Sequence, residues 1–123
     1  GSSKGEDADK MSHATAILHR DHPDLIVDGE IQANFAINQE MLAESFPFSA
    51  LNHRNVNILI FPNLSAGNIS YKLLKEMGGV EAQGPVLLGM KKSVHILQMG
   101  SSAKEIVDMV RLAVVDAQNK SQS

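Results

Sequence analysis

Apolar residues recur along this chain at two different periods, and the alternation between them lays out the elements. From Lys10 to His22 the apolar positions Met11, Ala14, Ile17 and Leu18 fall at helical spacing, and Pro23 closes the segment, which predicts a helix. Asp24–Asp28 (DLIVD) is a short apolar run bounded by Pro and Gly and predicts a buried strand; Gln32–Glu44 is again amphipathic at helical spacing. Ser45–Arg54, with Pro47 and two Phe, predicts a loop. Val56–Phe61 (VNILIF) predicts a strand, Pro62–Gly67 a turn, and Asn68–Met77 a helix stopped by Gly78 and Gly79. Gly84–Gly89 (GPVLLG) and Ser93–Leu97 (SVHIL) are too short for helices and predict two further strands. In the last helix, Ala103–Gln118, a stripe of Ile106, Val110, Ala113, Val114 and Ala117 is expected to face the core, with Lys104, Asp108 and Arg111 off it.

Apolar strands alternating with amphipathic helices are strands covered on both faces, so the expected class is α/β, a mostly parallel sheet flanked by helices. The organisation read from this pattern is a small, polar leading loop over residues 1–9, an α/β region over 10–118, and a polar tail, NKSQS, over 119–123. In such sheets ligands bind beyond the carboxyl ends of the strands, so the residues following each strand are the places to search.

Composition narrows the function classes. A chain of 123 residues with 43% hydrophobic content supports one domain-sized core or a piece of one. The formal charge of −3 is spread over the length with no basic run, which argues against nucleic acid as a partner. No apolar run approaches the ~20 residues that span a bilayer, and GSSKGEDADK is no signal peptide, so no membrane is expected and a cytoplasmic location is. The absence of cysteine excludes disulfides and thiolate zinc sites.

Three constellations are candidates for chemistry. Asp28-Gly29-Glu30 places two carboxylates beyond a strand, with a glycine that permits an unusual backbone angle; the pair suits a substrate or a metal, or simply caps the next helix. Phe61–Lys72 (FPNLSAGNISYK) is a strand, a small-residue turn and a helix start, where N–H groups, the helix dipole and Lys72 suit a phosphate-bearing ligand, although the Walker and dinucleotide glycine motifs are both lacking. His19 and His22, three apart, have the spacing of two metal ligands but no evident third, and more often such residues sit in solvent. His95 is expected as a partly buried, hydrogen-bonded histidine in a strand, the dispersed methionines as filler, and no GxSxG nucleophile motif is present.

The segments PDLIVDGEIQANFA, NVNILIFPNLSAGNISYKLLKEMGG, GPVLLGM and SVHILQMGSSAKEIVDMVRLAVVDAQ resemble, in order and spacing, the C-terminal part of the phosphate acetyltransferase and butyryltransferase family, and the opening GSSKG resembles the loop preceding that part. The resemblance implies a two-subdomain fold with a cleft between the subdomains, of which this chain supplies much of the second. It further implies that Asn63, Gly67, Asn68, Tyr71 and Lys72 lie near a coenzyme A cleft, as do Gln98, Met99 and Gly100. Acetyl-transferring members carry a Ser-Arg pair where Gln98 and Met99 stand, and an aspartate where Glu105 stands. Methionine offers neither charge nor donor, so phosphate recognition and charge stabilisation should both be weakened.

VHILQ followed by a small residue and glycine, with VVDAQ near the end, is more similar to the phosphotransacetylase-like extensions of large NADP-dependent malic enzymes. That implies a regulatory module sensing acetyl-coenzyme A, with no catalytic residue and no metal ligand of its own. NADP and a divalent metal would then be confined to an absent N-terminal part. The partners implied are the remainder of a parent polypeptide, further copies in a homo-oligomer, and acetyl-coenzyme A or coenzyme A as ligand. A working phosphate acetyltransferase is the alternative, and a structural oligomerisation piece comes third.

Overall fold

In the computed structural model the residues described are 5–79 and 81–121. Among them the chain forms five helices: α1 (Glu6–Asp21), α2 (Ala33–Ile37), α3 (Gln39–Ser45), α4 (Leu64–Met77) and α5 (Ala103–Ser121). It divides into two compact units, Gly1–Leu73 and Leu74–Ser123.

In the first unit α1 begins at Glu6, inside the expected leading loop, because Glu6, Asp7 and Asp9 place negative charge in the first turn, where the helix dipole favours it. Residues 1–4 of that loop lie outside the described residues. The inward face of α1 runs through Ala8, Met11, Thr15 and Leu18, with Thr15 Oγ1 bonded back to the Met11 carbonyl at 2.9 Å. The single helix expected over 32–44 is two helices. Asn38 is the C-cap of α2 and the N-cap of α3, its Oδ1 accepting the Met41 N–H at 3.1 Å. Ala36 and Leu42 are buried there, Leu42 completely, and the Phe35 and Phe46 rings meet edge to face at 5.2 Å between centroids.

The four segments expected as strands, 24–28, 56–61, 84–89 and 93–97, are not helical, and none is paired into a ladder among the described residues. The expected mostly parallel sheet is therefore not formed there. A ladder needs a second backbone alongside to accept and donate its hydrogen bonds, and the apolar side chains are as uncovered as the backbone is unpaired. Ile58 and Ile60 are 70% and 72% exposed, and Leu59 is exposed as well.

The second unit differs more sharply from expectation. In α5 the inward face carries Glu105, Asp108, Met109, Leu112, Ala113 and Asp116, with Met109 buried. Of the stripe expected in the core only Ala113 lies on this face; Ala117 is exposed, and Ile106, Val110 and Val114 are exposed by 42%, 58% and 51%. Segment 93–97 shows the same inversion: Ser93 and His95 point inward while Val94 and Ile96 are exposed. Polar contacts join this segment to α5: the Ser93 hydroxyl donates to the Ala113 carbonyl at 2.9 Å, and His95 Nε2 lies 3.5 Å from Asp116. The helix also runs on through the expected tail to Ser121, held at its end by Lys120 and Asp116 one turn apart at 2.9 Å.

Candidate functional site

The turn into α4 is closed by its own side chain. Asn63 Oδ1 accepts the Ala66 N–H at 2.9 Å and the Asn63 carbonyl accepts the Gly67 N–H at 3.2 Å, so two of the donors expected to face an anion are already engaged. Asn63 Nδ2 also donates to Asp7 at 2.9 Å, which brings a carboxylate beside the same turn. Gly67 is half-buried, its missing Cβ facing the Phe61 ring at ordinary contact distance. Asn68, Tyr71 and Lys72 are exposed on the helix, and Lys72 has no hydrogen bond or ion pair among the described residues. Lys72 lies eight residues beyond Leu64, ~12 Å along the helix axis. One phosphate at the turn is out of its reach, and a ligand touching both needs charge at two separated places.

Gln98, Met99 and Gly100 form the second group. The Gln98 carbonyl accepts the Ser101 N–H at 3.1 Å and the Ser101 hydroxyl at 2.9 Å, and Gly100 sits at φ +92°, the left-handed position that this kind of turn reserves for glycine. Met99, at the tip, is fully exposed. Directly after the turn comes a reciprocal cap that the sequence reading passed over. The Ser102 hydroxyl accepts the Glu105 N–H at 3.2 Å, and Glu105 Oε2 accepts the Ser102 N–H at 2.8 Å and the Ser102 hydroxyl at 3.1 Å. The S-x-x-E spacing of residues 102–105 was its legible signal. Lys75 donates to the other carboxylate oxygen of Glu105 at 3.0 Å. These contacts, the Ser102 N–H first and then Lys75 and the Ser102 hydroxyl, hold the Glu105 carboxyl down at about 2. Glu105 is thus committed to anchoring the start of α5. The 63–72 group lies in the first unit and the 98–100 group in the second.

Asp28 and Glu30 line a cleft of about 250 Å³ in the first unit, together with His19, Phe46 and Phe48. Asp28 does not cap α2; its Oδ1 accepts the Gly29 N–H at 2.9 Å and its Oδ2 accepts the Ser49 hydroxyl at 2.5 Å, which ties loop 46–51 to the segment after α1. Gly29 is a matter of space rather than of an unusual angle, since a Cβ there would make a tight contact of 3.0 Å with Thr15 Oγ1. His19 Nε2 donates to the Val27 carbonyl at 2.9 Å. Among the described residues no group of three or more His, Asp or Glu is gathered to hold a metal. Carboxylates beside aromatic rings make this cleft hostile to phosphate. His95, by contrast, is more deeply buried than expected, its side chain 2% exposed, with the Ser93 hydroxyl 3.3 Å and Asp116 3.5 Å from Nε2 and, among the described residues, no partner at Nδ1. Both neighbours sit on one ring nitrogen, which is not the arrangement that activates a serine nucleophile.

Residues 1–114 match the family described as phosphate acetyl/butaryl transferase. The chain is 42% identical over 118 residues to a phosphate acetyltransferase of Clostridium acetobutylicum, which covers 96% of this chain and 35% of that protein. It is 40% identical over 120 residues to an NADP-dependent malic enzyme of Haemophilus influenzae, covering 98% of this chain and 16% of that one. A solved phosphotransacetylase from Streptococcus pyogenes superposes on all of this chain and on 36% of its own, with a TM-score of 0.83 and 39% identity. The chain thus spans about a third of the phosphate acetyltransferase it matches and a smaller share of the malic enzyme.

Proposed function

The chain belongs to the phosphate acetyl/butaryl transferase family, and on that premise we propose that it is the acetyl-coenzyme A-sensing regulatory part of an NADP-dependent malic enzyme, without acetyl transfer of its own. What supports this reading is the turn before α5, where the family resemblance sets Gln98 and Met99 in place of a hydroxyl and a guanidinium. Met99 stands in solvent with nothing to offer a phosphate, and Glu105 is bound into the cap of the helix. Transfer of an acyl group needs preorganised charge at the reacting centre, and losing one such donor typically costs ~100-fold or more in rate. Coenzyme A carries a diphosphate and a separate ribose phosphate, and a ligand with charge at separated places fits the distance between the capped turn and the unpaired Lys72. Differential binding of such a ligand to two conformations would make it an effector.

On this reading malate oxidation, NADP and a divalent metal belong to the rest of a malic enzyme polypeptide, which works in the cytoplasm as a homo-oligomer. The second reading, an active phosphate acetyltransferase, is favoured by the 42% identity to the Clostridium acetobutylicum protein. A coupled assay on the polypeptide carrying this chain separates the two. We expect no measurable acetyl phosphate from acetyl-coenzyme A and phosphate, and a shift of malate turnover on adding acetyl-coenzyme A. Lys72→Ala should weaken acetyl-coenzyme A binding about tenfold, the equivalent of one charge-assisted contact of ~1.5 kcal/mol, with basal malate turnover unchanged. Acetyl phosphate formed at the rate of a true phosphotransacetylase would promote the second reading.

A further inference from the structure

The start of α4 is held from outside by the first turns of α1. Lys10 Nζ donates to Asp7 Oδ1 at 3.0 Å and to the Pro62 carbonyl at 3.2 Å, while Asp7 Oδ2 accepts Asn63 Nδ2 at 2.9 Å. Both oxygens of Asp7 are therefore engaged, one by the lysine that fixes it and one by the amide it holds. The two contacts to the turn reach across 52 and 56 positions of the chain, so they tie together elements that share no local sequence.

An asparagine side chain carries an acceptor at one end and donors at the other, and the two ends are nearly equal in size, so shape alone does not decide which way it faces. Capping does decide. Only Oδ1 can accept the Ala66 N–H, at 2.9 Å, and a reversed amide would set donor against donor there. A carboxylate accepts and never donates, so Asp7 can hold only the Nδ2 end, with a charge-assisted bond. Asp7 and Lys10 are both about half exposed, so the pair adds little to overall stability and its effect is local.

We propose that Asp7 is a positioning residue for the turn into α4: it selects the amide orientation in which Asn63 caps the helix, so that the first turn of α1 sets how the 63–72 group begins. Without that carboxylate Asn63 has two settings, one that caps and one that leaves the Ala66 N–H without its partner. The 63–72 group is part of the proposed acetyl-coenzyme A site, but the test involves no ligand, so the two readings fail separately.

Hydrogen exchange is measured on the polypeptide carrying this chain, residue by residue, by mass spectrometry with electron-transfer fragmentation. Asp7→Ala should speed exchange of the Ala66 N–H about fivefold, the size expected for one lost helix cap. The Met41 N–H, which Asn38 Oδ1 caps at 3.1 Å without help from Asp7, should be unchanged. Swapping the two groups is the decisive variant. With Asp7→Asn and Asn63→Asp together, the new carboxylate can accept the Ala66 N–H with one oxygen and the new amide with the other, and protection should return to within about twofold of the parent. Asn63→Asp alone sets two carboxylates against each other and should leave Ala66 less protected than the swapped pair does. Unchanged Ala66 exchange in Asp7→Ala would overturn the proposal, as would a swapped pair no better protected than Asn63→Asp alone. An equal rise at Met41 would assign Asp7 to overall stability and likewise overturn it.

Discussion

Among the described residues Leu42 is the one large side chain with no exposed surface, in a unit whose other apolar residues are largely open to water, so its truncation tests where the stability of that unit resides. Leu42→Ala removes three carbon groups, worth about 0.8 kcal/mol each on transfer from water. The cavity left behind adds to this, because α2, α3 and the Phe35–Phe46 ring pair leave little freedom to collapse, and the total expected is ~3 kcal/mol. For a chain of this size urea slopes are about 1–1.5 kcal/mol per molar, so the unfolding midpoint should fall by roughly 2 M. Ile58→Ala, which removes a similar volume from a side chain already 70% exposed, should cost no more than about 0.5 kcal/mol. Urea titration followed by far-ultraviolet circular dichroism measures both. Equal losses for the two variants would refute the reasoning, since they would show Ile58 to be covered or Leu42 not to be.

Gly29→Ala should destabilise by ~1–3 kcal/mol, because the new methyl group would stand 3.0 Å from Thr15 Oγ1, itself fixed to the Met11 carbonyl; adding Thr15→Ala should restore most of the loss, and a double variant as unstable as the single one would remove the clash as the cause. The Glu105 carboxyl is lowered from 4.5 to about 2 in the folded chain, so the stability it contributes is fully present above its unfolded value and is lost as pH falls from about 4.5 towards 2. Melting temperatures measured between pH 7 and pH 3 should therefore fall less steeply for Glu105→Gln than for the parent chain, and superimposable pH dependences would dismiss the Ser102 and Lys75 contacts as the source.

Helices were legible because their punctuation is local. Pro23 after α1 and Gly78-Gly79 after α4 stop them where expected. Which face each helix buries was not legible, and α5 shows why. Periodicity ranks Ile106, Val110 and Val114 as the core face, but the inward face is the one that meets residues far off in sequence, Ser93 at Ala113 and His95 at Asp116, which no window along α5 contains. The same holds for Asp28, whose partner Ser49 lies 21 residues away. Of the candidate ligand residues, Asn63 was expected within a turn running to Gly67; its side-chain hydrogen bond with Ala66 lets α4 begin at Leu64 instead of Asn68, a contact that strand–turn–helix patterns leave open.

Asn38 turns a corner, and the corner makes an aromatic contact possible. Were residues 33–45 one continuous helix, as their periodicity suggests, Phe35 and Phe46 would stand eleven residues apart and ~16 Å from each other along its axis. Their rings would never meet. Because the chain leaves one helix at Asn38 and enters another there, the two rings close to 5.2 Å, and Phe46 in turn receives Phe48 at 6.5 Å. The loop that follows carries Ser49, the hydroxyl that grips Asp28. A single residue, closing one helix with its backbone N–H and starting the next with its side chain, therefore sets the path of a backbone that ends, eleven residues later, at one wall of the cleft.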